Sequence, residues 1–293
     1  MARRPVHISL KVAVPLSALM ILFASIAFTG HRLDWPGKPA FTTFRHSEID
    51  EHFLNNRLRA LSSRPLPRFI YHTLHAGPAI LWSLAMPFQH IDSLRARFPA
   101  MHRRNGYLVL SLSLLLSLGG FWILNRNMSH THREFYHIHT VIKGKYIPLL
   151  TWPTFESSLW FLAPAYFYSL FRTAETARAR EWARHRKWAV FHTIAAYTIT
   201  LQRVNVVVCM VAGWAMHLLV PERVQQEVLG VPATHEGKAA AELAAFAWTA
   251  WYGGILAFVW ILYEWRPAAL FARGRKGTAA AAGGEKSDTG KVE

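Results

Sequence analysis

Apolar runs long enough to cross a bilayer recur about six times in this chain of 293 residues, and the segments between them are short and basic. A spanning helix needs roughly 20 apolar residues to cover a hydrocarbon core about 30 Å thick, so the spacing points to an all-α fold. The expectation is a polytopic transmembrane helical bundle of about six spans, near residues 12–29, 69–89, 106–124, 147–171, 188–219 and 243–263. Spans 2 to 5 form a four-helix core over residues 69–220. The first span lies within 1–29, 30–68 is an extracytoplasmic linker, 221–263 holds a loop and the sixth span, and 264–293 is a disordered cytoplasmic tail rich in Ala, Gly and Lys.

Several details accompany this division. The basic start and the small residues Ser25 and Ala27 also fit a signal peptide, but the first apolar core exceeds the ~7 to 15 residues of a usual signal and favours a retained helix. A short surface helix fits 47–61 in the linker. The fourth span is interrupted by Pro148, Pro153, Pro164 and Glu156, which a membrane helix tolerates when neighbours satisfy the freed backbone groups. The single Cys209 excludes an intrachain disulfide and any multi-cysteine metal or iron–sulfur site.

Charge gives partners and orientation. A formal net charge of +16 would suggest nucleic acid in a soluble protein, but these Lys and Arg residues lie in turns between spans, where anionic lipid headgroups neutralise them. The reading is membrane surface and no nucleic acid. Turns 91–104 and 172–187 carry four and six basic residues, against four and two in the turns 125–146 and 221–242. Both termini are therefore expected in the cytoplasm, with the chain in the inner or plasma membrane. The linker 30–68 has seven basic residues and runs against this, diluted by acids over a longer loop.

The fifth span carries the chemistry. Counting 100° per residue from His185, positions His192, Arg203 and His217 fall within a band roughly 40° wide. Ionisable groups in a span normally face partners, a cavity or a cofactor, so this face should look into the bundle. Heptad spacing puts His75, Trp82 and Gln89 on one side of span 2, and Gly106, Ser113 and Gly120 form a small-residue stripe with His102 on span 3. Such a stripe admits a close helix or something flat, close packing being the commoner use.

The two basic turns repeat one another. Arg95-Ala-Arg97-Phe-Pro-Ala-Met-His102-Arg103-Arg104 aligns without gaps on Arg178-Ala-Arg180-Glu-Trp-Ala-Arg-His185-Arg186-Lys187. Spans 2–3 and 4–5 read as a parallel duplication of a helical hairpin, with His102 and His185 at equivalent depth. The alternative is convergence between two basic turns that each precede a membrane helix.

Two imidazoles from facing helices can hold a haem iron. His75 lies roughly 9 Å below the outer end of span 2 and His192 roughly 6 Å above the inner end of span 5, too far apart to share one iron. His75 needs an outer partner from His217, His137 or His139; His192 or His185 needs an inner one from His102 or His90. No C-x-x-C-H motif is present, which excludes covalent c-type attachment and leaves a b-type haem open. Hydrogen bonding or residence in the headgroup zone is the ordinary alternative for any one of these histidines. For Arg203, a structural pair with Glu156 stands against a propionate, quinone or anionic ligand.

His75-Ala-Gly77, Pro87-Phe88-Gln89, Arg97-x4-His102-Arg103-x2-Gly106-Tyr107, His185-Arg186-Lys187-Trp188 and Arg203 together resemble domain-of-unknown-function family 2306, uncharacterised predicted bacterial membrane proteins. The likeness covers about residues 70–210 and implies a four-helix membrane core without an established activity. The polar loop 125–146, which carries His130, His132, His137 and His139, is longer than that pattern. The functional expectation is a haem-binding or quinone-interacting redox protein with His75, His102, His185 and His192 as candidate iron ligands and Arg203 and His217 as further cofactor contacts. The competing expectation is a non-redox transporter or lipid-binding accessory protein.

Overall fold

The computed structural model describes residues 8–29, 69–126, 137–142, 145–146 and 150–265. The linker with its expected short helix, His130 and His132, and the tail beyond 265 lie outside the described residues. The fold is mostly helical, as expected. Among the described residues three helices are long and apolar enough to cross a membrane, Pro99–Asn125, Trp182–Leu219 and the Leu243–Glu264 part of the last helix, and Leu10–Ser25 is a shorter apolar helix.

Helix α1 (Leu10–Thr29) packs against a two-part element: a π-helical segment, Ile70–Ala76, that runs directly into α2 (Gly77–Ala85). The sequence supplies the cause of the change. Pro78 has no N–H to give the carbonyl of Leu74, so the ladder widens, and the N–H of Gly77 reaches back five residues to His72. His72 in turn donates Nδ1–H to the carbonyl of Phe28, tying this segment to the end of α1.

A 3₁₀ turn (Pro87–His90) and the short α3 (Asp92–Arg97) lead into α4 (Pro99–Asn125), which starts with proline at its first position, where the missing N–H costs nothing. The expected fourth span is shifted. Residues 150–153 are not helical but form β2 (Leu150–Pro153), paired antiparallel with β1 (Ile138–Ile142) from the histidine-bearing loop. Helix α5 begins only at Phe155 and runs to Arg178, because Thr154 caps it by accepting from the N–H of Ser157 at 3.2 Å.

The turn after α5 is tight. Arg180 sits in the left-handed region at φ 58°, and the N–H of Glu181 returns to the carbonyl of Thr176 at 2.9 Å, closing the end of α5. Helix α6 (Trp182–Leu219) then runs unbroken for 38 residues, about 57 Å long and well beyond one bilayer core. It is the central helix, packed against α5, α1 and the last helix, while α2 lies on α4. The short α7 (Glu222–Glu227) precedes α8 (His235–Glu264). Trp82, Met86, Val190, Ile194 and Tyr197 meet in the main core; Phe155, Phe246, Ala247 and Ala250 form a second.

Candidate functional site

The two stripes expected on spans 2 and 3 close on each other in antiparallel register. A Cβ at Gly120 would lie 3.4 Å from Cε1 of His75. Seven residues on, Trp82 Nε1 donates to Ser113 Oγ at 2.8 Å. After another seven, Gly106 faces Gln89, whose Nε2 donates to the carbonyl of His102 at 3.3 Å. The small residues on α4 thus make room for large polar side chains, not for a flat ligand.

Ser113 also joins α5 and α6. His192 places Nε2 3.1 Å from Ser113 Oγ and Nδ1 3.2 Å from Ser169 Oγ. Proton accounting fixes its tautomer. Ser169 spends its hydroxyl proton on the carbonyl of Tyr166 at 2.8 Å, so it accepts from His192 Nδ1–H. Nε2 then carries the lone pair and accepts from Ser113, which accepts from Trp82. Tyr166 closes the node with its hydroxyl on the Ser113 carbonyl at 3.0 Å and its ring 4.9 Å from the imidazole. Both nitrogens of His192 are engaged, and the residue is only 2% exposed.

Arg203, further along α6, is in a different position. Its guanidinium carbon lies 5.8 Å from the ring centres of Phe23 on α1 and Phe246 on α8. Tyr71 and His75 from the π-helical segment are within electrostatic reach of it. Nη1 donates to Gln202 Oε1 at 3.1 Å. Among the described residues no carboxylate pairs with it; Glu156 instead accepts from Trp160 Nε1 at 3.3 Å. Taking a cation out of water costs several kcal/mol, and cation–π contacts return on the order of 0.5–2 kcal/mol each. The charge is only partly compensated.

The tautomer of His75 is set. The Leu116 carbonyl, 3.2 Å from Nδ1, can only accept, so Nδ1 holds the proton and Nε2 the lone pair. No hydrogen bond engages Nε2 among the described residues. The neighbouring Tyr71 ring is stacked on the imidazole at 6.4 Å.

The remaining candidates lie apart. His185 donates Nδ1–H to the carbonyl of Thr173 at 3.0 Å and lies within electrostatic reach of His102. Asp92 joins the two basic turns, 2.7 Å from Arg95 and 3.5 Å from Arg186. His217, placed by angle on the same face as Arg203, is exposed near the end of α6. His137, just before β1, and His139 on it meet edge to face with ring centres 4.6 Å apart, and β1 packs against α8. Among the described residues no three His, Cys, Asp or Glu side chains gather to hold a metal ion.

Sequence reasoning passed over Tyr71, Phe23, Phe246, Gln202, Tyr166 and Ser169. Trp82, Gln89, Gly106, Ser113 and Gly120 did have a signal, their place on the two stripes. Compared with known proteins, the chain matches no family model, no curated protein and no solved structure.

Proposed function

We propose that this chain is a multi-pass protein of the inner or plasma membrane, with six spans, a core of spans 2 to 5 and both termini cytoplasmic, that binds a quinone-type ligand beside Arg203. The observation that carries the reading is a guanidinium 5.8 Å from two aromatic ring centres, without a carboxylate partner among the described residues, within electrostatic reach of an imidazole whose Nε2 has no hydrogen bond among them. A quinone offers two carbonyl acceptors that become hydroxyl donors on reduction. Arg203 and the Tyr71 hydroxyl supply donors for the first state, and His75 Nε2 supplies an acceptor for the second. Phe23, Phe246 and the Tyr71 ring give a flat apolar head aromatic walls.

A b-type haem is the second reading, supported by one feature. Imidazoles that bind iron usually donate their other N–H to a carbonyl or carboxylate, as His75 does to Leu116 and His185 to Thr173. Arg203 would then meet a propionate. His192, with both nitrogens hydrogen-bonded, is better suited to holding the bundle together. The basic turns joined through Asp92 suit anionic headgroups, and on that feature the non-redox transporter or lipid-binding alternative rests.

Dithionite-reduced minus oxidised difference spectra of the protein, purified in detergent from cells supplied with haem and quinone, separate these readings. A bleached quinone band in stoichiometric amount is the expected result. A Soret band would transfer the assignment to haem, and a featureless spectrum would favour the non-redox alternative.

A further inference from the structure

Gln202 lies beside the cation and is 1% exposed, yet its Nε2 has no hydrogen-bond partner among the described residues. Its amide is oriented by Arg203, because the guanidinium can only donate and therefore takes Oε1. The N–H₂ group must then point the other way, still within a few ångströms of the guanidinium. The backbone beneath it is fixed: a Cβ at Gly253 would come 2.9 Å from the Gln202 nitrogen, so α8 lies directly on α6 there. Asn205 Nδ2 reinforces the contact by donating to the carbonyl of Thr249 at 3.4 Å.

The groups gathered here are strongly biased. Arg203, Gln202 Nε2 and the Tyr71 hydroxyl are donors, one of them a full cation, and His75 Nε2 is the acceptor. A neutral carbonyl would satisfy a donor and leave the charge uncompensated. An oxygen bearing a full negative charge does both, through charge-assisted hydrogen bonds roughly twice as strong as neutral ones.

We infer that Arg203 and Gln202 form an oxyanion clamp, so that the ligand is bound as an anion and belongs to the acidic hydroxyquinones. This rests on the quinone reading above. Gln202 is then a specificity-determining residue, selecting for charge on the ligand rather than for its ring.

The test compares two probes on the full chain in lipid nanodiscs at neutral pH: a 2-hydroxy-3-alkyl-1,4-naphthoquinone, which ionises, and its 2-methoxy ether, which does not. The hydroxy probe should bind at least about tenfold more tightly, read by quenching of tryptophan fluorescence. Gln202→Leu should reduce that preference to within about twofold. Gln202→Glu, nearly the same shape, places a carboxylate beside Arg203 and should reverse the preference, which keeps the test decisive if the Leu variant fails to fold. Equal binding of both probes by the parent would overturn the clamp and leave the quinone site standing. Binding of neither would overturn the quinone reading itself.

Discussion

Replacing Gly253 or Gly254 by alanine adds the same methyl group at adjacent positions of α8 with opposite expected results. At Gly254 nothing lies within 4 Å of the new carbon. Alanine there should stabilise the helix by about 0.8–1 kcal/mol, the propensity difference. At Gly253 the carbon would sit 2.9 Å from the Gln202 nitrogen and 3.1 Å from the Thr198 carbonyl oxygen, both backbone atoms of α6. Backbone cannot rotate away, so α8 must move off, at about 1–3 kcal/mol for overpacking. Allowing for the same propensity gain, Gly253→Ala should be destabilising by up to about 2 kcal/mol, so the two variants should differ by about 1–3 kcal/mol. Denaturant titration in mixed detergent micelles, followed by tryptophan fluorescence, reads the difference as opposite shifts in midpoint. Because α8 also carries Phe246 and Thr249, Gly253→Ala should weaken ligand binding, whereas Gly254→Ala should not. Equal stability of the two variants would show that α8 does not lie on α6 at Gln202, and the clamp geometry would fall with it.

Other substitutions test the remaining contacts. Ser113→Ala strands the buried Trp82 Nε1–H and the lone pair of His192; at about 1–3 kcal/mol for each unpaired group it should cost about 2–6 kcal/mol in the same titration. In a His192→Leu background its cost should fall by at least about 0.5 kcal/mol, and strict additivity would mean that the two side chains do not share a node. Gly120→Leu drives a side chain into the 3.4 Å gap beside His75 and should abolish ligand binding while secondary structure by circular dichroism is kept. Binding unaffected by that change would remove His75 from the site.

The residues that sequence made legible are those whose partners obey helical periodicity. His75, Trp82 and Gln89 step by sevens on one element, Gly106, Ser113 and Gly120 on the other, and antiparallel packing joins them pair by pair. Angle alone failed at His217, because α6 continues beyond the packed part of the bundle and a shared face ceases to mean a shared environment. The start of α5 was also misplaced. Hydropathy runs through 147–154, but the Thr154 cap and the pairing of β2 with β1 decide where the helix begins. Gln202, Tyr71 and Phe246 were out of reach of periodicity, since which helices surround Arg203 depends on how α1 and α8 dock on α6. The missing N–H of Pro78 was visible in sequence; that it would produce a π-helical segment carrying Tyr71 and His75 was not.

The account depends most on the guanidinium of Arg203 being the group that holds the ligand. Saturable binding of a short-chain benzoquinone to the parent, Arg203→Lys and Arg203→Leu in nanodiscs, with equal folding verified by circular dichroism, measures that directly. The expected order is parent, then Lys weaker by about tenfold because one point charge replaces a planar fork, then Leu without saturable binding. A folded Arg203→Leu protein that binds as tightly as the parent would contradict it.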